Sequence, residues 1–248
     1  MDANLQTTRI FALGAIVLCL AGAQVIAAEQ TVVMTDFSDA TVGADMSKLE
    51  EPVFSGWTGF GSSTKVQGVA LIVDPGGDGQ PDPALQLGKG AGVFQAIDLS
   101  AAKGNNSVII RFKLTDTASD DWFGLFLRDS ENPKPYRLQT NPAANGGKGA
   151  LILRKDRTQL FSKTISLSGT YEIELRITYG ASKNTFAILV DGQLVGEGED
   201  SGQDGSPALK PAANSQLSFS NFNNEDNAKT VLDDISVKIR TASDGKKH

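Results

Sequence analysis

The chain has 248 residues, 40% of them hydrophobic, enough for one domain of the larger all-β kind or at most two small ones. Its formal net charge is −6 and its pI about 4.9, and its Lys and Arg residues are scattered, the only dense group being Lys246-Lys247 in the tail. Nucleic acid demands clustered cations against its phosphates, so that class of partner is excluded.

The first 28 residues differ in kind from the rest. Arg9 precedes an apolar run, IFALGAIVLCLAGAQVIAA, that ends in small residues. A basic flank, an apolar core and a small-residue end predict a secretory signal peptide over residues 1–28, cut after Ala27 or Ala28. The competing reading is a retained anchor, since Ile10 to Ala28 is about the minimum length for crossing a bilayer, but its final third is Ala, Gly and Gln. Cys19, the only cysteine, falls inside this segment, and Leu18 before it is too large for a lipoprotein signal. The expected product is one domain over residues 29–241 with a frayed tail at 242–248, secreted, periplasmic or at the cell surface. It would hold together by its apolar core alone, with neither thiol nor disulfide.

Beyond residue 29 the helical period is almost absent, and short segments alternate apolar with polar residues, as half-buried strands do. In chain order these are TVVMTDF (31–37), KVQGVALIV (65–73), PALQLG (83–88), GVFQAIDL (92–99), SVIIRFKLT (107–115), WFGLFLRD (122–129) and PYRLQT (135–140). GALILRKD (149–156), QLFSKTISL (159–167), TYEIELRITYG (170–180), NTFAILV (184–190), QLVGEG (193–198), SQLSFSNF (215–222) and TVLDDISVKIR (230–240) follow. Asp191-Gly192 between two such runs predicts a tight hairpin, because a type I′ turn needs positive φ at both positions. So many short strands close a core only as two stacked sheets or a barrel. Faces can be assigned within strands. Tyr171, Ile173, Leu175 and Ile177 share one face, and Glu172, Glu174 and Arg176 the other. Phe123, Leu125 and Leu127 point one way, and Trp122, Phe126 and Arg128 the other, a face unlike an ordinary solvated one.

Three stretches carry a resemblance. TDFSDATVGADMSKLEEPVFSGW (35–57) is an acidic-aromatic opening followed by Gly and Trp, TYEIELRITYGASKNTFAILVDGQLVG (170–196) is strand, turn and hairpin, and LDDISVKI (232–239) closes the chain. Their order and spacing resemble the concanavalin A-like lectin/glucanase superfamily, in its secreted bacterial LamG-like branch. The resemblance implies an antiparallel jelly roll of two sheets, one concave face of which often binds glycans. It implies no activity, because function lives in the site.

The superfamily includes glycoside hydrolases and polysaccharide lyases, and glycosidases need two flanking carboxylates. Glu172 and Glu174 share a strand face, but the third carboxylate of the family's pattern is missing and Arg176 stands in its neighbourhood. The only histidine is His248 in the tail, which removes His-based acid–base chemistry, a Ser-His-Asp triad and His-ligated zinc from the folded region. A lyase built on Tyr136 with Arg137 or Arg154 has no supporting spacing. Whether the chain is an enzyme stays open, with a non-catalytic protein the better fit.

Calcium is the one expected ion, in a structural role. DPGGDGQPDPAL (74–85) offers Asp74, Asp78 and Asp82, but an EF-hand starting at Asp74 would place Gly76 and Leu85 at ligand positions, so a Gly/Pro turn fits better. Strict alternation in VLDDISVKI would place Asp233 among core residues, where a carboxylate needs a partner. Jelly-roll carbohydrate modules often pin their first and last strands with calcium, which makes Asp36, Asp39 and Asp233 the candidate ligands; the alternative is that Asp233 accepts backbone N–H bonds. For a glycan or polysaccharide the candidates are Trp122, Arg128, Tyr136, Arg154 and Asn221, rings to stack on sugars and planar groups to hydrogen-bond them; against this, tryptophan more often fills a core or sheet edge. The expectation is a secreted carbohydrate-binding or adhesion module. A structural envelope or matrix protein of the same fold, and a glycan-degrading enzyme with an unrecognised site, are the alternatives.

Overall fold

The computed structural model describes residues 28–38, 40–44, 57–61, 70–75, 82–88, 90–116, 122–129, 134–202, 205, 207–222 and 230–242. All but the last residue of the expected signal peptide, most of the tail, Asp39 and Asp78 lie outside them. Among the described residues no helix is long and apolar enough to cross a membrane.

They form two antiparallel sheets packed face to face. One sheet holds β1 (Glu29–Thr35), β3 (Ala70–Val73), β4 (Ala84–Leu87), β6 (Ser107–Asp116), β11 (Thr170–Tyr179), β12 (Asn184–Val190), β13 (Gln193–Asp200) and β15 (Thr230–Arg240). The other holds β2 (Thr58–Gly61), β5 (Ala91–Ile97), β7 (Phe123–Arg128), β8 (Tyr136–Asn141), β9 (Ala150–Lys155), β10 (Thr158–Lys163) and β14 (Ser215–Asn221). The first sheet runs β13-β12-β11-β6-β15-β4-β3, and the second β10-β9-β8-β7-β14-β5-β2. This is the two-sheet jelly-roll sandwich that the resemblance implied, where the period-2 pattern alone left a barrel open as well. Of the strands, β2 (TGFG) escaped the pattern because it is four residues long and half glycine.

The core is the sum of the inward faces. Val108, Ile110, Phe112 and Leu114 of β6 and Tyr171, Ile173, Leu175 and Ile177 of β11 meet Leu217 and Phe219 of β14, Phe123, Leu125 and Leu127 of β7, and Leu138, Leu151 and Leu153. Each such side chain contributes about 1.5–3 kcal/mol on full burial, which is how the sandwich dispenses with disulfides. At the centre, Phe219 lies 5.1 Å from Phe112, 5.7 Å from Trp57 and 6.1 Å from Phe123, ring centre to ring centre. Trp57 is thus core, its indole N–H donating to Thr35 Oγ1 at 3.2 Å. The Asp191-Gly192 turn has positive φ at both residues (49° and 74°), as the hairpin requires.

One strand departs from strict alternation. β15 pairs with β6 along its length, but its other edge is shared end to end: Thr230–Leu232 pair with β4, and Ile235–Arg240 with β1. The handover falls on a bulge at Asp233-Asp234, where the register slips against β6 and Asp234 takes φ 49°. A bulge reverses the parity of everything beyond it. Leu232 therefore points inward together with Ile235, Val237 and Ile239, and Asp233, expected among them, is only half-buried.

Candidate functional site

Trp122, placed by parity on the outer face, introduces β7 and accepts the backbone N–H of Phe222 at 2.8 Å. Gly124 follows it on that face; a Cβ there would come within 2.9 Å of the Phe222 ring, so glycine is what lets the phenyl lie across the strand. Phe222 meets Phe126 edge-on at 5.5 Å, and the Arg137 guanidinium lies over the Phe126 ring, 5.3 Å from its centre. Phe126 is 6% exposed as a result, and Phe222 39%. The strand registers extend this into a transverse row: Phe94, Ser218, Phe126, Arg137, Arg154 and Gln159 stand opposite one another in turn across β5, β14, β7, β8, β9 and β10. Exposed Arg128 flanks the row on β7, opposite Gln216.

Charge is unevenly divided between the layers. In a chain with net charge −6, none of the seven strands of this sheet contains Asp or Glu. The strand carboxylates all belong to the other sheet, among them Glu172 and Glu174 of β11 and Glu197 and Glu199 of β13. Arg137 and Arg154 are directly paired across β8 and β9, both half-buried. Their Nε atoms are buried and lack an acceptor, and among the described residues neither guanidinium forms an ion pair. Like charges directly opposite in a sheet destabilise it by several tenths to about 1 kcal/mol.

Trp122, Arg128 and Arg154 are thus gathered on one face, with Phe126, Phe222 and Arg137 added. Tyr136 and Asn221 turn the other way, a correction that parity explains, since Tyr136 alternates with Leu138 and Asn221 with Phe219. Asn221, 2% exposed, donates to the Leu87 carbonyl at 2.9 Å and ties the two sheets together. Tyr136, also 2% exposed, belongs to an interior polar cluster. Its hydroxyl donates to Asp200 Oδ2 at 2.7 Å and accepts from Asn184 Nδ2 at 2.9 Å, and Lys155 Nζ lies 3.1 Å from Asp200 Oδ2. Burial, then the bond to Asp200, pushes the Tyr136 phenol well above its ordinary range, so it stays a donor.

On the eight-stranded sheet several charged side chains are paired. A cleft of about 440 Å³ on the eight-stranded sheet is lined in part by Arg176, Glu197, Glu199 and Arg240. Arg176 and Arg111 both pair with Glu174, Lys183 pairs with Glu199, and Arg240 with Glu29. Of the expected calcium ligands, Asp36 is exposed and its carboxylate accepts the Ser38 backbone N–H and hydroxyl, which holds it below its ordinary range. Among the described residues no three acidic, His or Cys side chains converge on a metal position.

Asp233 has a different character. One carboxylate oxygen is buried without a hydrogen-bond partner, and burial, with Asp234 and Asp82 adding to it, pushes the carboxyl up to about 6. The folded state thus keeps a proton that the unfolded chain gives up near pH 4, and stability falls as pH rises between those values. Asp233→Asn should raise stability at pH 7 by about 1 kcal/mol, after discounting for partial exposure, and change nothing near pH 3. Thermal melts of both proteins at the two pH values check this; a loss at pH 7 would show the charge to be satisfied.

The two-sheet jelly-roll fold is shared with several solved structures. Among solved structures the chain is similar to a carbohydrate esterase of the Shiga toxin-encoding bacteriophage phi24B, at 14% identity and TM-score 0.56, covering 86% of this chain and all of that one. It is similar also to an endo-1,3-beta-glucanase of Streptomyces sioyaensis, at 11% identity and TM-score 0.55, covering 86% and 97%. A third is the CBM2 module of the Lactobacillus casei BL23 phage J-1 evolved Dit, at 14% identity and TM-score 0.51, covering 87% and 97%. No family model and no curated protein matches the sequence.

Proposed function

We propose that the protein is an exported, non-catalytic carbohydrate-binding module whose site is the outer face of the seven-stranded sheet. The observation that carries this reading is the exposed Phe222 ring against buried Phe126, with Arg128, Arg137 and Arg154 beside it and Trp122 placed by parity on the same face, where a solvent-facing sheet would ordinarily show mixed charges. Sugars present flat C–H faces that stack on such rings, and hydroxyls that guanidinium groups hydrogen-bond. The glucanase and CBM2 module among its structural neighbours support a glycan as the ligand class.

Trp122→Ala should lower retention on a bound polysaccharide at least tenfold, as the loss of a central aromatic contact does, and leave the melting temperature within about 2 °C, as expected for a half-buried side chain at a sheet end. Affinity electrophoresis through gels containing single polysaccharides measures the first, and a thermal melt the second. Unchanged retention would move the site off this face, and no retention on any polymer would end the reading.

A further inference from the structure

We infer that the glycan bound on this face is anionic, and that Arg137 and Arg154 together grip its carboxylate or sulfate group. The inference rests on the carbohydrate-binding reading above and names the substrate class. Its ground is the pairing of the two arginines. β8 and β9 set them directly opposite each other, half-buried, in a sheet whose strands supply no carboxylate. Both Nε atoms are out of water and without an acceptor. A buried N–H donor is ordinarily satisfied, and a like-charged pair is ordinarily separated or neutralised. Among the described residues neither guanidinium has a carboxylate partner, and the Nε–H donor of each has no acceptor.

An oxyanion with paired acceptor oxygens meets that requirement. A carboxylate or sulfate ester accepts two parallel N–H bonds from one guanidinium and has a further oxygen edge for the second. Phe126, beneath Arg137, fixes that plane by cation–π contact, so little side-chain freedom remains to be lost on binding. Phe222 meets Phe126 edge-on and is bonded through its backbone to Trp122, and there the next sugar along the polymer would stack. A neutral glycan would leave the pair as it is now, with charge repelling charge.

The test uses the whole protein with alginate and polygalacturonate, which carry carboxylates only, dextran sulfate, which carries sulfates only, and laminarin and xylan as neutral polymers. Retardation by one or both acidic classes, with little or none by the neutral ones, is expected. R137Q and R154Q should each weaken it at least tenfold, R154K should recover part of it by restoring charge without the fork, and K238Q on the opposite sheet should match the unmodified protein. The R137Q/R154Q variant, measured without ligand, should melt at the same or a higher temperature, which separates lost binding from lost folding. Comparing the carboxylate and sulfate polymers assigns the anion. Equal retention by neutral polymers, unaffected by R137Q and R154Q, would overturn the anionic assignment and leave the carbohydrate-binding module standing. Acidic retention equally weakened by K238Q would reduce the pair to general charge attraction and overturn the grip. Retention by no polymer at all would remove both.

Discussion

Lys155→Ala is expected to lower the melting temperature by roughly 6–20 °C, corresponding to about 3–5 kcal/mol for leaving a buried charge without its partner in a domain of this size. Lys155 is fully buried and Asp200 1% exposed, and the two come from opposite sheets, at the ends of β9 and β13. The Asp200 carboxylate is saturated: Oδ2 takes Tyr136, Oδ1 takes the Gly202 backbone N–H at 3.0 Å, and the ammonium reaches both oxygens. Removing the lysine strands a carboxylate in a low-dielectric interior, where it must either stay charged and unpaired or take up a proton. Replacing both members, as in K155M/D200L, removes the desolvated charges together and should recover much of the loss. Tyr136→Phe deletes only a hydroxyl and should cost about 1 kcal/mol. Calorimetry on the four proteins of the Lys155/Asp200 cycle gives the coupling directly. A Lys155→Ala protein melting within a degree of the parent would mean that water reaches the cluster.

Phe219→Ala is expected to cost about 3–5 kcal/mol, because it removes the ring around which the other core aromatics are arranged. Phe112 meets it edge-on and Phe123 stacks on it, while Trp57 leans against it at 42°. Each such ring pair is worth about 0.5–1.5 kcal/mol beyond its buried area, and the vacated space is enclosed by two rigid sheets that cannot close over it. Urea unfolding should show the midpoint falling with little change in slope. The emission of Trp57 should shift to the red if water enters. An unchanged midpoint would place the centre of the core elsewhere. This substitution also serves the binding experiments, since it perturbs stability without touching the arginine row.

The strands and their faces were legible in the sequence because they rest on local rules, while the choice of a jelly roll over a barrel came from the resemblance. The alternation in YEIELRI and WFGLFLR assigns faces without knowledge of what lies opposite, and Asp191-Gly192 names its own turn. What failed was a choice made on chemistry against parity. Tyr136 and Asn221 carry groups suited to sugars, but each alternates with core residues, and the interior claimed both. The same parity puts Lys155 in line with Leu151 and Leu153, a lysine on a core face, which was the available signal for the interior ion pair. Its partner is 45 residues away on the other sheet, and no spacing rule connects them. The reversal at Asp233-Asp234 was hidden for another reason: a bulge is decided by which neighbours a strand must serve, and β15 serves two. The arginine pair depends on the register between β8 and β9, which lies outside the reach of periodicity.

A layer whose strands are free of carboxylates, backed by one that carries all the strand carboxylates, gives the two sheets opposite electrical character. An acidic polymer drifting toward the rear would be turned away before contact, and one approaching the front would be drawn in and oriented. Repulsion behind and attraction ahead thus select which surface engages and limit each molecule to a single docking pose. The same polarity discourages front-to-front self-association, where bare guanidinium groups would oppose each other. Raising the salt concentration should weaken capture and blur this orientation together, since both draw on one field.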